Sequence, residues 1–265
     1  MLVYMNGNWI KEETAAISIN NPGFTNAQVV YETVRTYQGK LFQFKKHYDR
    51  LKNSADAMSI ELSVSWKEVE GIIHESISKN ALNEAYIRIY LTSTPDLIIQ
   101  VKEFPELNPD LYVQGVLTDI TEIRRQAFMH NATAIKTTAA LDVFLARIKR
   151  PKHLYDFIML NREGYVAEGT FSNVFLVKDN ILITPSMKTG ILSGITREVV
   201  VELAEKNGVK CEKRLVEEKE LFEAEELFLT HTSAGIAPIR AVGTREYPIG
   251  NTTRQLIELL KVFTG

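Results

Sequence analysis

The 265-residue sequence predicts an α+β fold in two domains, and three observations indicate it. In the first half, a β-branched run at Val29–Tyr37 is followed by a helical repeat that begins at Lys46. A break with acidic residues, Asn and Pro lies between Glu106 and Asp110. Strand-like and helix-like segments alternate again in the second half. The sequence therefore predicts a small domain over residues 1–115 and a larger one over residues 116–265.

In the first domain, helical and strand-like periods alternate along the chain. Residues 46–58 repeat at helical spacing, and Ser65 with Glu68 forms a capping box that opens a second helix. Apolar or β-branched runs bounded by turn residues predict strands at residues 2–5, 29–37, 41–44, 85–91 and 97–101. A turn over residues 93–96 joins the last two strands.

In the second domain, helix boundaries are the clearest signals. Helices are predicted at residues 141–149, before Pro151, at residues 196–207, before Gly208, and at residues 253–262. Strands are predicted at residues 111–117, 155–160, 173–177 and 227–230.

The composition excludes several classes of function. A net charge of -2 and a pI near 6.3 provide no electrostatic reason to expect a nucleic acid or an anionic membrane as a partner. The single Cys211 cannot form an intramolecular disulfide, and the five histidines lack metal-ligand spacing. Residues 1–20 contain no apolar signal core. We therefore expect a cytoplasmic protein without a metal site.

Four features could carry chemistry. Lys136 lies among small and apolar residues, where desolvation favours the neutral amine that forms an imine, although a lysine at a strand end often reaches solvent. Glu168 precedes Gly and hydroxyl residues, as in a turn that delivers one carboxylate into a pocket or in an ordinary turn. The backbone N–H groups of Ile195 and Thr196 at a helix start could bind phosphate, and Arg50 is a second candidate ligand.

In this order, these residues resemble the fold-type IV pyridoxal-phosphate enzymes. That family includes branched-chain aminotransferases, D-amino acid aminotransferases and aminodeoxychorismate lyases. The similarity covers nearly the whole chain, and Glu168 follows Lys136 by 32 residues, as the family leads us to expect. Its most specific parts are Glu-Gly-x-x-Ser-Asn at residues 168–173 and Gly-Ile-Thr-Arg at residues 194–197.

The resemblance implies a fold, a cofactor and a set of residues. It implies a small N-terminal α/β domain, a larger C-terminal pseudobarrel domain, and a homodimer or higher homo-oligomer. Lys136 would hold pyridoxal 5'-phosphate as a Schiff base, and Glu168 would pair with the pyridine nitrogen. The remaining cofactor-binding residues would be Arg50, Ser172, Asn173, Ile195, Thr196 and Thr232.

The resemblance also implies amino acid and 2-oxo acid substrates, such as 2-oxoglutarate. The candidate substrate-binding residues are Tyr31, Arg35, Tyr86, Arg88 and Ser233. Arg35 and the segment at residues 85–88 resemble branched-chain enzymes, which we favour, whereas Tyr31 and Leu141 resemble D-amino acid enzymes. Gly235 departs from the glutamate that is common in both groups. A D-amino acid aminotransferase, an aminodeoxychorismate lyase and a non-catalytic homologue that binds the cofactor remain alternatives.

Overall fold

The computed structural model describes residues 1–94, 96–130 and 133–265, which divide into two compact units. The first unit comprises Met1–Glu106, Ile135–Ala139 and Thr264–Gly265, and the second comprises Leu107–Ala134 and Ala140–Phe263. This division differs from the single boundary predicted at residue 115. The first unit ends earlier because Leu107 and Leu111 pack against the core of the second unit. Ile135 packs against the core of the first unit, which therefore includes the segment Ile135–Ala139.

The first unit contains an antiparallel sheet covered by helices. Its strands are β1 (Leu2–Met5), β2 (Asn8–Lys11), β3 (Val29–Tyr37), β4 (Lys40–Leu41), β5 (Ala85–Thr92) and β6 (Leu97–Glu103). Its helices are α1 (Pro22–Thr25), α2 (Phe44–Ala57) and α3 (Trp66–Lys79), with a short 3-10 helix at Glu12–Thr14. Among the described residues, the strand order is β2-β1-β6-β5-β3-β4, and every neighbouring pair is antiparallel.

Strand alternation divides β3 and β5 into a core face and a polar face. Val30 and Val34 of β3 are fully buried in a cluster that also holds Leu51 of α2 and Ile73 of α3. The opposite face of β3 carries Tyr31, Thr33 and Arg35. This second face is available for polar chemistry.

Local backbone features mark where two helices of the first unit begin. The predicted capping box is present, since the Ser65 N–H donates to Glu68 Oε2 at 2.8 Å. The strand predicted at residues 41–44 is wrong beyond Leu41, because Gln43 adopts a left-handed φ of 49° and α2 begins at Phe44. The predicted turn at residues 93–96 contains Pro95, which lies outside the described residues.

The second unit is a barrel with flanking helices. Its strands are β7 (Val116–Ile120), β8 (Met129–His130), β9 (Thr133–Ala134), β10 (Asp156–Leu160), β11 (Val166–Gly169), β12 (Asn173–Lys178), β13 (Ile181–Pro185), β14 (Cys211–Arg214), β15 (Glu226–His231), β16 (Gly235–Val242) and β17 (Arg245–Glu246). Its helices are α4 (Asp110–Val113), α5 (Leu141–Lys149), α6 (Ile195–Lys206), α7 (Glu218–Glu223) and α8 (Asn251–Thr264), with a 3-10 helix at Met187–Thr189.

The pairing of six described strands closes on itself. The order is β11-β10-β7-β16-β15-β12, and β12 pairs back with β11. β13 and β14 extend the sheet from β12, and β17 pairs with β16. Buried side chains such as Ile158, Leu176 and Leu229 fill the core. This closed sheet confirms the predicted pseudobarrel and the mixed α/β class.

The helix predictions for the second unit are accurate to a few residues, and α5 has the predicted bounds. The strand predicted at residues 111–117 is wrong, because its first part forms α4. The Asp110 N–H donates to Asn108 Oδ1 at 3.0 Å, which starts that turn. Gly115 has a φ of +72°, which ends the helix and lets β7 begin at Val116. In the described part of the chain, no helix is long and apolar enough to cross a membrane.

Candidate active site

Lys136 lies in a segment of the first unit that is hydrogen-bonded to β3 and α2. The Tyr31 N–H donates to the Lys136 carbonyl at 3.1 Å, and the Lys136 N–H donates to Ser54 Oγ at 3.1 Å. The half-buried side chain places Nζ 4.7 Å from the centroid of the Tyr31 ring. The backbone bonds and the aromatic face together restrict the position of the amine.

Arg50 is bound to a buried carboxylate in the first unit. Its Nε donates to Glu32 Oε1 at 2.6 Å, and its Nη2 donates to Glu32 Oε2 at 2.8 Å. Burial favours the protonated carboxyl, but the Arg50 charge outweighs it and holds the pKa of Glu32 well below its ordinary value. Burial lowers the pKa of His47 despite its 2.9 Å contact with Glu32. The arginine is therefore charged and fixed in orientation.

The polar face of β3 and β5 brings three predicted substrate-binding residues together. Arg88 Nη1 donates to Tyr86 Oη at 3.3 Å and to Thr33 Oγ1 at 3.2 Å. Its Nε donates to Tyr90 Oη at 3.1 Å, and its guanidinium carbon lies 4.9 Å from the Tyr31 ring centroid. Burial opposes the charge of Arg88, but the tyrosine hydroxyls raise its pKa. The face thus presents a charged guanidinium beside aromatic rings.

Arg35 has a different environment on the same face. Its guanidinium carbon lies 3.8 Å from the Tyr37 ring centroid and 3.5 Å from that of Phe104. Its Nε donates to the Thr36 carbonyl at 3.0 Å. In these contacts the Arg35 side chain packs against two aromatic rings. Its role in binding substrate stays a prediction.

Glu168 is held by three N–H donors in the second unit. Arg125 Nε donates to Oε1 at 2.9 Å, while Asn173 Nδ2 and the Leu192 N–H donate to Oε2 at 3.1 and 3.0 Å. Arg125 Nη1 also donates to Asp142 Oδ2 at 2.8 Å. Burial opposes the charge of Arg125, but both carboxylates raise its pKa. Sequence reasoning missed Arg125 and Asp142, which follow no spacing that would connect them with Glu168.

A second buried carboxylate shapes the turn after Glu168. Asp156 accepts hydrogen bonds from the Thr170 N–H at 3.0 Å and from the Ser172 hydroxyl at 2.7 Å. Burial raises the pKa of Asp156, and these hydrogen bonds oppose the rise. Gly169 is required at this point because a Cβ would overlap Ser172 and Asp156. Ser172 thus supports the turn, and its contact with a cofactor stays a prediction.

The start of α6 has the features of an anion site. The cap residue Gly194 provides no side-chain hydrogen bond, so the first backbone N–H groups keep their capacity to donate. Ile195 and Thr196 are both buried. A Cβ at Gly194 would overlap the Asn173 side chain, so Gly194 allows α6 to start beside the residue that holds Glu168.

Thr232 and Ser233 lie in the turn between β15 and β16, and both are half-buried. The preceding His231 contacts Tyr155 Oη through Nε2 at 2.7 Å and accepts from the Ala234 N–H at Nδ1 at 3.5 Å. Burial lowers the pKa of His231 to about 4. A neutral imidazole therefore joins this turn to Tyr155 at neutral pH.

The desolvated imidazole of His231 makes stability depend on pH. Between its ordinary pKa of 6.5 and its folded pKa of about 4, the unfolded chain takes up a proton that the folded protein does not. We therefore expect His231 to remove up to about 1.4 kcal/mol of unfolding free energy per pH unit as the pH falls through this range. Urea unfolding followed by circular dichroism at several pH values measures the loss.

The matched variants are His231→Gln and His74→Gln, since His74 is exposed on α3. The loss of stability on acidification should be smaller in His231→Gln than in the wild type and unchanged in His74→Gln. Identical acid sensitivity in all three proteins would contradict the assignment.

Comparison with known sequences places these residues in one family. The model of the family described as amino-transferase class IV matches residues 29–242. A Thermotoga maritima protein named "Probable branched-chain-amino-acid aminotransferase" is 39% identical and covers 99% of this chain and 96% of its own length. A D-alanine aminotransferase from Bacillus licheniformis is 29% identical, with coverage of 91% and 88%.

A comparison with solved structures agrees with the sequence comparison. The branched-chain aminotransferase from Thermoproteus uzoniensis, solved with norvaline, has a TM-score of 0.92 and 28% identity to this chain. The match covers 100% of this chain and 94% of that one. The similarity therefore includes both units and all of the residues discussed above.

Proposed function

Because this chain belongs to the amino-transferase class IV family, we propose that it transfers an amino group between a branched-chain amino acid and a 2-oxo acid such as 2-oxoglutarate. Pyridoxal 5'-phosphate is the cofactor in this proposal. The family match includes Lys136 and Glu168, the two residues on which the chemistry depends.

The observation that carries the proposal is the arrangement around Glu168. Its carboxylate has about four acceptor positions, and three N–H donors occupy three of them. One position remains for the N–H of a protonated ring nitrogen. The neighbouring Thr230 hydroxyl is buried and has no hydrogen-bond partner among the described residues, as expected beside a site that binds a polar ligand.

The remaining cofactor contacts follow from charge and donor type. Arg50 provides a charged guanidinium for a phosphate, and the first N–H groups of α6 provide backbone donors. Thr232 adds a hydroxyl donor in this proposal. When bound, pyridoxal phosphate supplies an electron sink for the substrate carbon that loses its proton.

Three of the protein's own residues have distinct roles in this proposal. Lys136 Nζ would hold the cofactor covalently, and as a free amine it would accept the proton from the substrate carbon and pass it on. Glu168 keeps the ring nitrogen protonated by accepting its hydrogen bond. Arg88 binds a substrate carboxylate beside Tyr31 and Tyr86, whose aromatic surfaces suit an apolar side chain.

The substrate class is supported by the relatives and by the face of β3 and β5. Proteins named branched-chain aminotransferases are 39%, 31% and 32% identical to this chain over nearly its full length. The D-alanine aminotransferases among the relatives keep the D-amino acid reaction as the second candidate. Aminodeoxychorismate lyase activity is the alternative that keeps the cofactor and changes the reaction.

A substrate panel tests the proposal. Leucine, isoleucine, valine and the L- and D-forms of alanine and glutamate are each offered with 2-oxoglutarate or pyruvate, and the new amino acid is measured. We expect the highest kcat/KM for L-leucine, L-isoleucine or L-valine with 2-oxoglutarate. Faster reaction of D-alanine would replace the substrate assignment, whereas release of 4-aminobenzoate from aminodeoxychorismate would replace the reaction. No exchange by the cofactor-loaded protein would favour the non-catalytic homologue.

The proposal includes a homodimer or higher homo-oligomer that acts in the cytoplasm. Its support is a row of exposed apolar side chains on α5, where Leu141, Phe144 and Ile148 are 65%, 58% and 60% exposed. Residues spaced by three and four positions form one face of a helix, and an apolar face of this kind suits contact with a second copy. The single Cys211 is compatible with a reducing compartment.

A further inference from the structure

A groove of 490 Å³ in the second unit is lined by cationic and aromatic side chains. Its walls come from the start of β7, the segment between α5 and β10, the turn between β11 and β12, and the end of β16. We name it the basic groove and define it by Arg150, Lys152, His153, Tyr155, Phe171 and Arg240. Its volume lies within the range of about 300–1,000 Å³ that small-molecule sites occupy.

The side chains that line the basic groove all carry positive charge or none. None of its described lining residues is acidic. Lys152, His153 and Arg240 are exposed, and none of them forms an ion pair with the described residues. The potential inside an open groove lined by cations attracts anions, because no acidic side chain is among its described lining residues.

Arg150 provides a second observation that points to a ligand. Its Nη1 donates to the Leu154 carbonyl, which turns the guanidinium back toward the segment between α5 and β10. Its Nε–H is buried and has no acceptor among the described residues. A buried N–H of a charged guanidinium without an acceptor is costly, so Arg150 lines the groove with hydrogen-bonding capacity that the described residues leave unused.

The aromatic side chains provide a wall for an organic body. Phe171 is 39% exposed, and its ring contacts those of Tyr155 and His231 edge-on at centroid distances of 5.7 and 5.2 Å. The hydrogen bond between Tyr155 and His231 fixes the orientation of this wall. A ligand with a planar or apolar body could contact Phe171 while its anionic group faces the cations.

We propose that the basic groove binds a small organic anion, with phosphate or carboxylate groups at Arg150, Lys152 and Arg240 and its body against Phe171. The size of the groove suits a metabolite. A nucleic acid would need a longer track of positive charge than a protein with a net charge of -2 offers. This binding does not depend on the proposed aminotransferase reaction.

Isothermal titration calorimetry of the cofactor-loaded protein tests the proposal with AMP, citrate and inorganic phosphate as probes. We expect AMP or citrate to bind, with an affinity that falls as salt increases. Binding of AMP alone would identify a phosphate ligand, and binding of citrate alone would identify a carboxylate ligand. The double variant Lys152→Gln/Arg240→Gln removes two exposed charges and should weaken binding by about tenfold or more.

The matched control is Lys206→Gln/Arg254→Gln, which removes two exposed charges on α6 and α8 outside the groove. It should bind the probes as the wild type does, and circular dichroism of both double variants verifies folding. The proposal is overturned if neither organic probe binds the wild type, or if both double variants bind equally. Binding of inorganic phosphate alone would contradict an organic ligand. Since calorimetry measures binding without turnover, a failed aminotransferase assay would leave this result unaffected.

Discussion

Replacing Lys136 by alanine is expected to lower aminotransferase turnover by about 10⁴-fold, the upper range for a general acid–base residue. Lys136 Nζ is held against the Tyr31 ring, and no other lysine lies in the segment Ile135–Ala139. Under the proposed function, the alanine variant loses both the amine that would bind the cofactor covalently and the base that would move the substrate proton. Lys136→Arg keeps a cation but no nucleophilic amine, and it should lose turnover to a similar extent.

Two measurements examine this prediction. Steady-state turnover is measured with L-leucine and 2-oxoglutarate, and the covalent link is detected by borohydride reduction followed by mass spectrometry of the peptide that contains Lys136. Lys178→Ala is the control, because Lys178 forms a surface ion pair with Glu223 and should keep wild-type turnover. Turnover above about a tenth of wild type in Lys136→Ala, or a cofactor adduct on another lysine, would refute the role of Lys136.

Glu168→Gln is expected to lower kcat by about 10- to 100-fold, because a hydrogen bond to a charged group contributes roughly 1.5–3 kcal/mol. A neutral amide does not hold the ring nitrogen in its protonated form. Its NH₂ group would also face N–H donors of Arg125, Asn173 or Leu192, where the carboxylate accepts hydrogen bonds. Arg125 would keep only Asp142 as a charged partner.

Turnover of Glu168→Gln at saturating cofactor measures the loss of kcat separately from any loss of bound cofactor. Glu226→Gln is a matched control, since Glu226 is also a buried glutamate of the barrel and accepts from the Thr252 and Thr253 N–H groups at 3.2 and 2.7 Å. We expect this control to unfold more easily and to keep its kcat once folded. If Glu168→Gln matches Glu226→Gln in both stability and kcat, Glu168 has only a structural role.

Several elements of the fold were predictable from local sequence because their causes are local. Pro151 ends α5, and Ser65 with Glu68 caps α3. By contrast, β16 was not predicted. It contains Gly235 and Pro238, which favour turns, and seven of its eight residues are buried, so it lacks alternation. Closure of the barrel by its pairing with β7 and β15 stabilises it as a strand.

The candidate site residues follow a similar division between local and long-range causes. Lys136, Glu168 and Arg50 were identified from motifs in which neighbouring residues define the pattern. Their charged partners were not, because Arg125 lies 43 residues from Glu168, and Glu32 lies 18 residues from Arg50. No local pattern connects such pairs, so only folded coordinates identify them.

The sequence by itself therefore determined the family motifs and the approximate bounds of α3, α5, α6 and α8, and it supplied the candidate amine and carboxylate, since each depends on residues close together in the chain. Only the tertiary structure decided where the units divide, which strands close the barrel, and which buried groups hold Glu168 and Arg50. It also brought the cations of the basic groove together from β16 and from the segment between α5 and β10. The physical reason is that burial and long-range hydrogen bonds depend on strand pairing across many residues, and local propensity does not encode that pairing.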